Sequence, residues 1–190
     1  MDVIVAAVVP AAGRSSRFGR MKLLADIGGE PLLDRTLRSL LVAGLAPVIV
    51  VLSPSASLDA ATLLGHPDVQ TVVNSDPTRG MFSSIQVGLA AVGGRPTVVL
   101  PADMPFVRAS TAGLVAARLT ETDRVVVPAM RGQRGHPIGL PARLLRRLAS
   151  ADPTRSLKDA LAALGEEVLL VEVDDEGVGK DVDRPEDLGT

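Results

Sequence analysis

Apolar residues fall along the chain in two alternating patterns. Six short runs, at 3–9, 48–52, 69–73, 97–100, 124–127 and 168–173, are dominated by Val, Ile, Leu and Ala with few polar interruptions. Runs of this kind, lacking strict in-and-out alternation, predict strands covered on both faces. Between them lie segments with helical spacing, at 31–43, 57–64, 82–92, 110–119, 141–149 and 155–164. The first begins at Pro31, sets Leu33, Leu37, Leu40 and Leu41 on one face and stops at Gly44, as expected of a helix with proline in its first turn and glycine just past its end. The last carries Leu157, Leu161 and Leu164 before Gly165. Repeated strand–helix–strand units predict right-handed crossovers and a mostly parallel sheet. The expected fold is therefore an α/β, Rossmann-like, three-layer sandwich. No linker, low-complexity tract or internal repeat divides residues 1–190, so one domain is expected. Ligands of such sheets bind beyond the carboxyl ends of the strands. Two loops there carry chemistry: the one after the first strand and the one after Leu100.

The first loop reads "AAGRSSRFGRMK". Gly13 and Gly19 let the backbone approach a ligand and aim successive N–H groups at an anion. Arg14, Arg17, Arg20 and Lys22 can neutralise phosphate charge. Two common phosphate motifs are excluded. The G-x5-G-x2-K spacing does not match G-x4-G-K-[ST], and there is no G-x-G-x-x-G fingerprint. On spacing alone, a solvated basic loop remains the plain alternative. The second loop, "LPADMPFV", delivers Asp103 at a strand end. An aspartate beside proline is also simply a good turn residue. Beside a triphosphate loop it gains meaning, because magnesium is held by one or two carboxylates together with phosphate oxygens and water.

Composition removes several other classes. The chain has no Cys, Trp or Tyr and three Phe. Thiolate catalysis, disulfides and cysteine-ligated metal centres are excluded, and stacking platforms for single-stranded nucleic acid lack their aromatic residues. A net charge of −2 argues against a duplex-binding surface, so no nucleic-acid partner is expected. The apolar N-terminal stretch has strand length, and no run is long enough for a bilayer, so neither a signal peptide nor a membrane partner is expected. A cytoplasmic location fits. Of the 20 basic residues only Lys22, Lys158 and Lys180 are lysines, which makes a lysine at the glycine-rich turn a specific choice.

The string "PAAGRSSRFGRMKLLADIGGEPLLDRTL" resembles the start of the MobA-like NTP transferases, whose pattern is approximately L-A-[AG]-G-x-S-x-R-x-G-x-x-K-x-L followed by G-x-P-L-L. Pro10 stands where leucine is usual and Met21 where proline is common. The resemblance implies the nucleotide-diphospho-sugar transferase type of fold and a loop wrapped round a nucleoside triphosphate. It assigns nucleotide contacts to Ala11, Ala12, Gly13, Arg14, Ser15, Arg17, Gly19 and Lys22. "PADMPFV" resembles the family's metal-binding A-D-M-P turn, which makes Asp103 a magnesium ligand. The closing "DVDRPEDL" resembles a segment that returns to the nucleotide, with Asp183 the better second ligand and Asp181 the weaker. "RGMFSSIQVGL" resembles the segment beside the base in cytidylyltransferases and implicates Arg79, Gly80, Ser83 and Ser84, although serines near a helix start also serve as caps. A G-H-P turn in the family lines the acceptor pocket, which places His136 there.

The chemistry so implied is attack of an acceptor phosphate on the α-phosphate of an NTP, with pyrophosphate leaving. Such a nucleophile is already ionised near neutral pH, so no general base is needed. Positioning and charge stabilisation then carry catalysis, through Lys22, Arg17 and Asp103. The "AAG" and neighbouring segments look closest to the molybdenum cofactor cytidylyltransferase branch. This implies Mg²⁺ as cofactor, CTP and molybdopterin as substrates, and a molybdenum hydroxylase or its chaperone as partner. Alternatives are a guanylyltransferase, transfer to another phosphorylated acceptor such as a sugar phosphate or phospholactate, or a non-catalytic nucleotide-binding accessory protein.

Overall fold

The computed structural model describes residues 3–13, 22–56 and 65–189. The helix expected at 57–64, and Arg14, Ser15, Arg17, Gly19 and Arg20 of the first loop, lie outside those residues. Eight strands are described: β1 (Ala6–Pro10), β2 (Val48–Leu52), β3 (Val69–Val73), β4 (Thr97–Val99), β5 (Val125–Met130), β6 (Gln133–Arg134), β7 (Ile138–Leu140) and β8 (Val168–Glu172). Five α-helices accompany them: α1 (Leu32–Val42), α2 (Met81–Ala91), α3 (Ala109–Thr122), α4 (Ala142–Ala149) and α5 (Leu157–Ala163).

The strands form one sheet in the order β3-β2-β1-β4-β7-β5, with β8 and β6 also paired to β5. The β1–β2, β2–β3, β1–β4 and β5–β8 pairs are parallel. Both faces of β1, β2, β4 and β5 are covered, which explains their unbroken apolar runs. β3 and β8 were expected to be covered alike but keep exposed positions, because each lies at an edge with one neighbouring strand. Along β1 and β2, Ala7, Val9, Val48, Val50 and Leu52 pack toward α1 and α3, where Leu33, Leu37, Leu40, Val115 and Leu119 meet them. Ala6, Val8, Ile49 and Val51 face the other way, onto Phe82, Ile85 and Leu89 of α2 and Leu144 and Leu148 of α4. Each Val, Leu, Ile or Phe among them contributes about 1.5–3 kcal/mol when fully buried. The predicted three-layer, mostly parallel sandwich is the observed one.

Further departures from expectation lie in the second half of the sheet. β7 runs antiparallel between β4 and β5, with Val98 opposite Gly139 and Val126 opposite Gly139 on its other side. Its three residues are too few to give a periodic signal. β5 continues through Pro128 to Met130 although a proline argues for a strand end. The Pro128 carbonyl accepts from Gly135 N–H at 2.9 Å. Carbonyl and amide of one strand residue point the same way, so the missing N–H faces Gly135, between β6 and β7, and the parallel β5–β8 pairing runs on past Pro128.

Parallel pairing brings the carboxyl ends of β1, β2 and β4 to one edge. There Ala11 N–H donates to Val51 O at 2.8 Å, and Ala102 N–H to Pro10 O at 3.2 Å. The two chemically loaded loops are thereby joined to each other before any ligand arrives. No described helix is long and apolar enough to cross a membrane.

Candidate active site

A cleft of about 310 Å³ opens at this edge, bounded by the β1 loop (Pro10 to Gly13), by Lys22, by Gly80, Met81 and Ser84 at the start of α2, and by Asp103 and Asp183. Pro77 lies at its rim. Of the residues read from sequence as nucleotide-binding, Ala11, Ala12, Gly13, Lys22, Gly80 and Ser84 stand on its wall.

The acidic side is assembled from three distant parts of the chain. Asp103 follows β4 on a turn whose Ala102 carbonyl accepts from Thr36 Oγ1 of α1 at 3.0 Å. Thr36 is wholly buried. Asp103 O in turn accepts from Val182 N–H at 2.8 Å, which docks the C-terminal segment on the same turn. Asp103, Asp181 and Asp183 each present a carboxylate oxygen, and these oxygens lie within 4.8 Å of one another. Lys22 begins a 3-10 turn, Lys22–Leu24, anchored by buried Leu23. Its Nζ donates to Asp103 Oδ2 at 2.9 Å and to Asp183 Oδ1 at 3.2 Å. The Lys22 side chain is only 12% exposed, so this pairing is less screened than a surface ion pair.

Three carboxylates converging on a point suit a hard divalent cation with oxygen ligands. The Lys22 ammonium, seated between two of them, occupies the position of a stand-in cation. The donor set therefore fits magnesium or manganese. Asp181, the weaker candidate from sequence, joins Asp103 and Asp183 in the cluster, while Asp183 also pairs with Lys22 and lines the cleft.

What holds the acidic segment there was not read from the sequence. Asp175, 2% exposed, accepts at Oδ2 from Arg108 N–H (2.9 Å) and Thr111 Oγ1 (2.6 Å) at the start of α3, and at Oδ1 from Gly177 N–H (3.0 Å). It fastens the chain after β8 to the helix after the Asp103 turn. Beyond it the backbones approach too closely for a side chain. A Cβ on Gly177 would lie 2.1 Å from Phe106 O, and one on Gly135 would lie 2.2 Å from Val178 O. Farther along, Asp187 Oδ2 accepts from the N–H groups of Asp183 (2.9 Å) and Arg184 (2.8 Å). The Arg184 and Asp183 amides hold the Asp187 carboxyl below its usual range. In sequence, Asp175 is one of several acids in "VEVDDEGVGK", and only Gly177 two residues on hints at the turn it makes.

The remaining sequence candidates fall elsewhere. Arg79, in the 3-10 turn Pro77–Arg79, pairs with Asp76 at 3.5 Å and is not on the cleft wall. Ser83 is buried and donates to Gly80 O at 2.7 Å, a local role at the helix start. His136 bonds through its backbone to Val178 O at 2.8 Å. Burial lowers its imidazole pKa, against the opposing pull of Asp103 and Asp181. It thus lies beside the acidic cluster, off the wall of the cleft itself.

Comparison with known proteins agrees with this geometry. The MobA-like NTP transferase domain family matches residues 7–168. A 2-C-methyl-D-erythritol 4-phosphate cytidylyltransferase of Frankia casuarinae is 35% identical over 65% of this chain and 47% of its own length. A probable molybdenum cofactor guanylyltransferase of Opitutus terrae is 30% identical over 84% of this chain and 79% of its own. The chain spans 47%, 36% and 54% of the length of three curated relatives it matches, about half or less. Among solved structures, Rv0371c of Mycobacterium tuberculosis H37Rv superposes with a TM-score of 0.85 at 26% identity, covering 98% of this chain and 96% of that one. A second structure of that protein, a complex with manganese, has a TM-score of 0.81 at 24% identity and covers 97% and 96%. With its strand-end loops, its converging carboxylates and a family match over most of its length, the chain belongs to the MobA-like NTP transferases.

Proposed function

We propose that the protein is a Mg²⁺-dependent cytidylyltransferase that moves CMP from CTP to molybdopterin and releases pyrophosphate. The observation that carries this reading is the meeting of Lys22 with Asp103, Asp181 and Asp183 at the cleft bordered by the Ala11–Ala12–Gly13 turn. The β1 turn offers backbone N–H groups at the strand end, the arrangement that binds phosphate oxygens. Lys22 stands where it can pass from the carboxylates to the triphosphate and offset negative charge on the departing pyrophosphate. Arg14, Ser15, Arg17 and Gly19 would complete the phosphate cradle from the same loop. Asp103, Asp181 and Asp183 would hold the divalent ion, which supplies charge neutralisation for the phosphate oxygens when bound. The acceptor phosphate is already ionised near neutral pH and needs no base. The cleft residues act by orienting two anions for in-line displacement.

Cytidine is favoured by the alanine pair before Gly13 and by the "GMFSS" segment, both similar to cytidylyltransferases. The likeness to guanylyltransferases of molybdenum cofactor supports a pterin acceptor. A molybdenum hydroxylase or its chaperone would receive the product, in a cysteine-free protein suited to the cytoplasm. The test is pyrophosphate release with Mg²⁺, molybdopterin and each of the four NTPs in turn. The proposal expects turnover with CTP. Turnover confined to GTP overturns the cytidylyl assignment, turnover only with a sugar phosphate or phospholactate overturns the acceptor, and tight Mg·NTP binding without turnover indicates an accessory role.

A further inference from the structure

Asn74, immediately after β3, is completely buried. Its backbone N–H donates to Leu52 O at 2.9 Å, which ties it to the end of β2. Its side chain sits between the chain leading into α2 and the first turn of that helix. Asn74 Oδ1 accepts from Asp76 N–H at 3.1 Å. A backbone N–H can only donate, so the amide oxygen must face it and the amide NH₂ must face away. The NH₂ group then meets two hydroxyls, Ser83 Oγ at 2.9 Å and Ser84 Oγ at 3.0 Å. Both hydroxyl oxygens are therefore acceptors, and each has one proton left to give.

The Ser83 proton goes to Gly80 O at 2.7 Å. Among the described residues the Ser84 proton meets no acceptor, although Ser84 is 3% exposed. Ser84 is also the one of the pair that lines the cleft. A buried hydroxyl whose oxygen is committed to an amide and whose proton faces a cavity is a donor waiting for a ligand acceptor. The cleft wall formed by Gly80, Met81 and Ser84 carries no charged side chain, whereas the charges on the cleft among the described residues, Lys22, Asp103 and Asp183, suit phosphates and metal.

We propose that Asn74 is a positioning residue that sets Ser84 as a dedicated hydrogen-bond donor to the nucleobase, reading an acceptor such as O2 or N3 of cytosine. This rests on the reading that a nucleoside triphosphate occupies the cleft. Replacing Asn74 by aspartate inverts the polarity. A carboxylate still accepts from Asp76 N–H but also accepts from Ser84, whose lone pairs then face the base acceptor.

The experiment measures binding of Mg·CTP and of Mg·tripolyphosphate by calorimetry, with the full chain and no acceptor present. Ser84→Ala and Asn74→Asp are each expected to weaken Mg·CTP about tenfold, the loss of one hydrogen bond in a dry site. Mg·tripolyphosphate should change less than about twofold, because it has no base to read. The double variant should bind Mg·CTP no more weakly than either single one, and Ser84→Thr, which keeps the hydroxyl, should restore affinity. Unchanged Mg·CTP binding in Ser84→Ala overturns the proposal. So does equal weakening of both ligands, which would assign the Ser84 proton to a phosphate or Asn74 to folding alone. Wild-type protein that binds neither ligand overturns the nucleotide reading itself, a result distinct from either.

Discussion

The two sides of the cleft are made of different material. On one side, Lys22, Asp103, Asp181 and Asp183 bring charges together from positions 81 and 161 residues apart, between Lys22 and its two partners. On the other, Gly80, Met81 and Ser84 present a neutral surface whose polarity is set locally, by Asn74 only ten residues from Ser84. The charged side is built from long-range backbone docking, and the neutral side from one helix start held by a buried amide. This difference separates two tasks. Charges that converge can neutralise any triphosphate and its metal, whichever base is attached. An oriented hydroxyl in a dry wall can tell one base from another, because hydrogen-bonding sites reject ligands that leave their groups unpaired.

If the charged side does the chemistry, damage there must reach turnover first. Asp103→Asn keeps the size of the side chain and removes the charge that two other segments are arranged around. Pyrophosphate release is expected to fall about 10²- to 10³-fold, with little change in melting temperature. Lys22→Ala removes a charge-assisted donor worth about 1.5–3 kcal/mol, so kcat/KM should fall about 10- to 100-fold. Unaltered kinetics would return Lys22 to a solvated loop and end its place on the charged side.

Asp175→Asn loosens the charged side without touching its carboxylates. An amide in place of the carboxylate cannot accept from Arg108 N–H, Thr111 Oγ1 and Gly177 N–H together. A stability loss of about 1–3 kcal/mol should appear as a melting shift of about 2–4 °C per kcal/mol for a chain of this size. Turnover should drop about tenfold or less. A shift in melting temperature with no change in turnover would show that the C-terminal segment reaches Asp103 without this fastening.

Much of the sheet was legible because strands covered on both faces write themselves as continuous apolar runs, and because Pro31 and Gly44 mark the ends of α1. The antiparallel β7 was not, since Ile138, Gly139 and Leu140 are too few to show a period and derive their place from β4 and β5. Within the site, Asp103 could be read from its turn, which is local. The gathering of Asp181 and Asp183 at Asp103 could not, because it depends on Val182 N–H docking at Asp103 O, a contact between distant parts of the chain. Ser83 and Ser84 are alike in sequence. About 100° of rotation between successive helix residues sends one into the Gly80 turn and the other to the cleft. Asp175 and Asn74 carry no chemistry of their own to advertise. Each is an ordinary polar residue until burial shows what it holds.

The most direct test of the account is a titration of Mn²⁺ against the full-length wild-type chain and Asp103→Asn, each with CTP present, read by electron paramagnetic resonance of the free ion. The account predicts a saturable Mn²⁺ site in the wild type, with affinity at least about tenfold weaker in Asp103→Asn. Equal Mn²⁺ affinity in the two proteins would contradict it, because the three carboxylates would then not be where the metal binds.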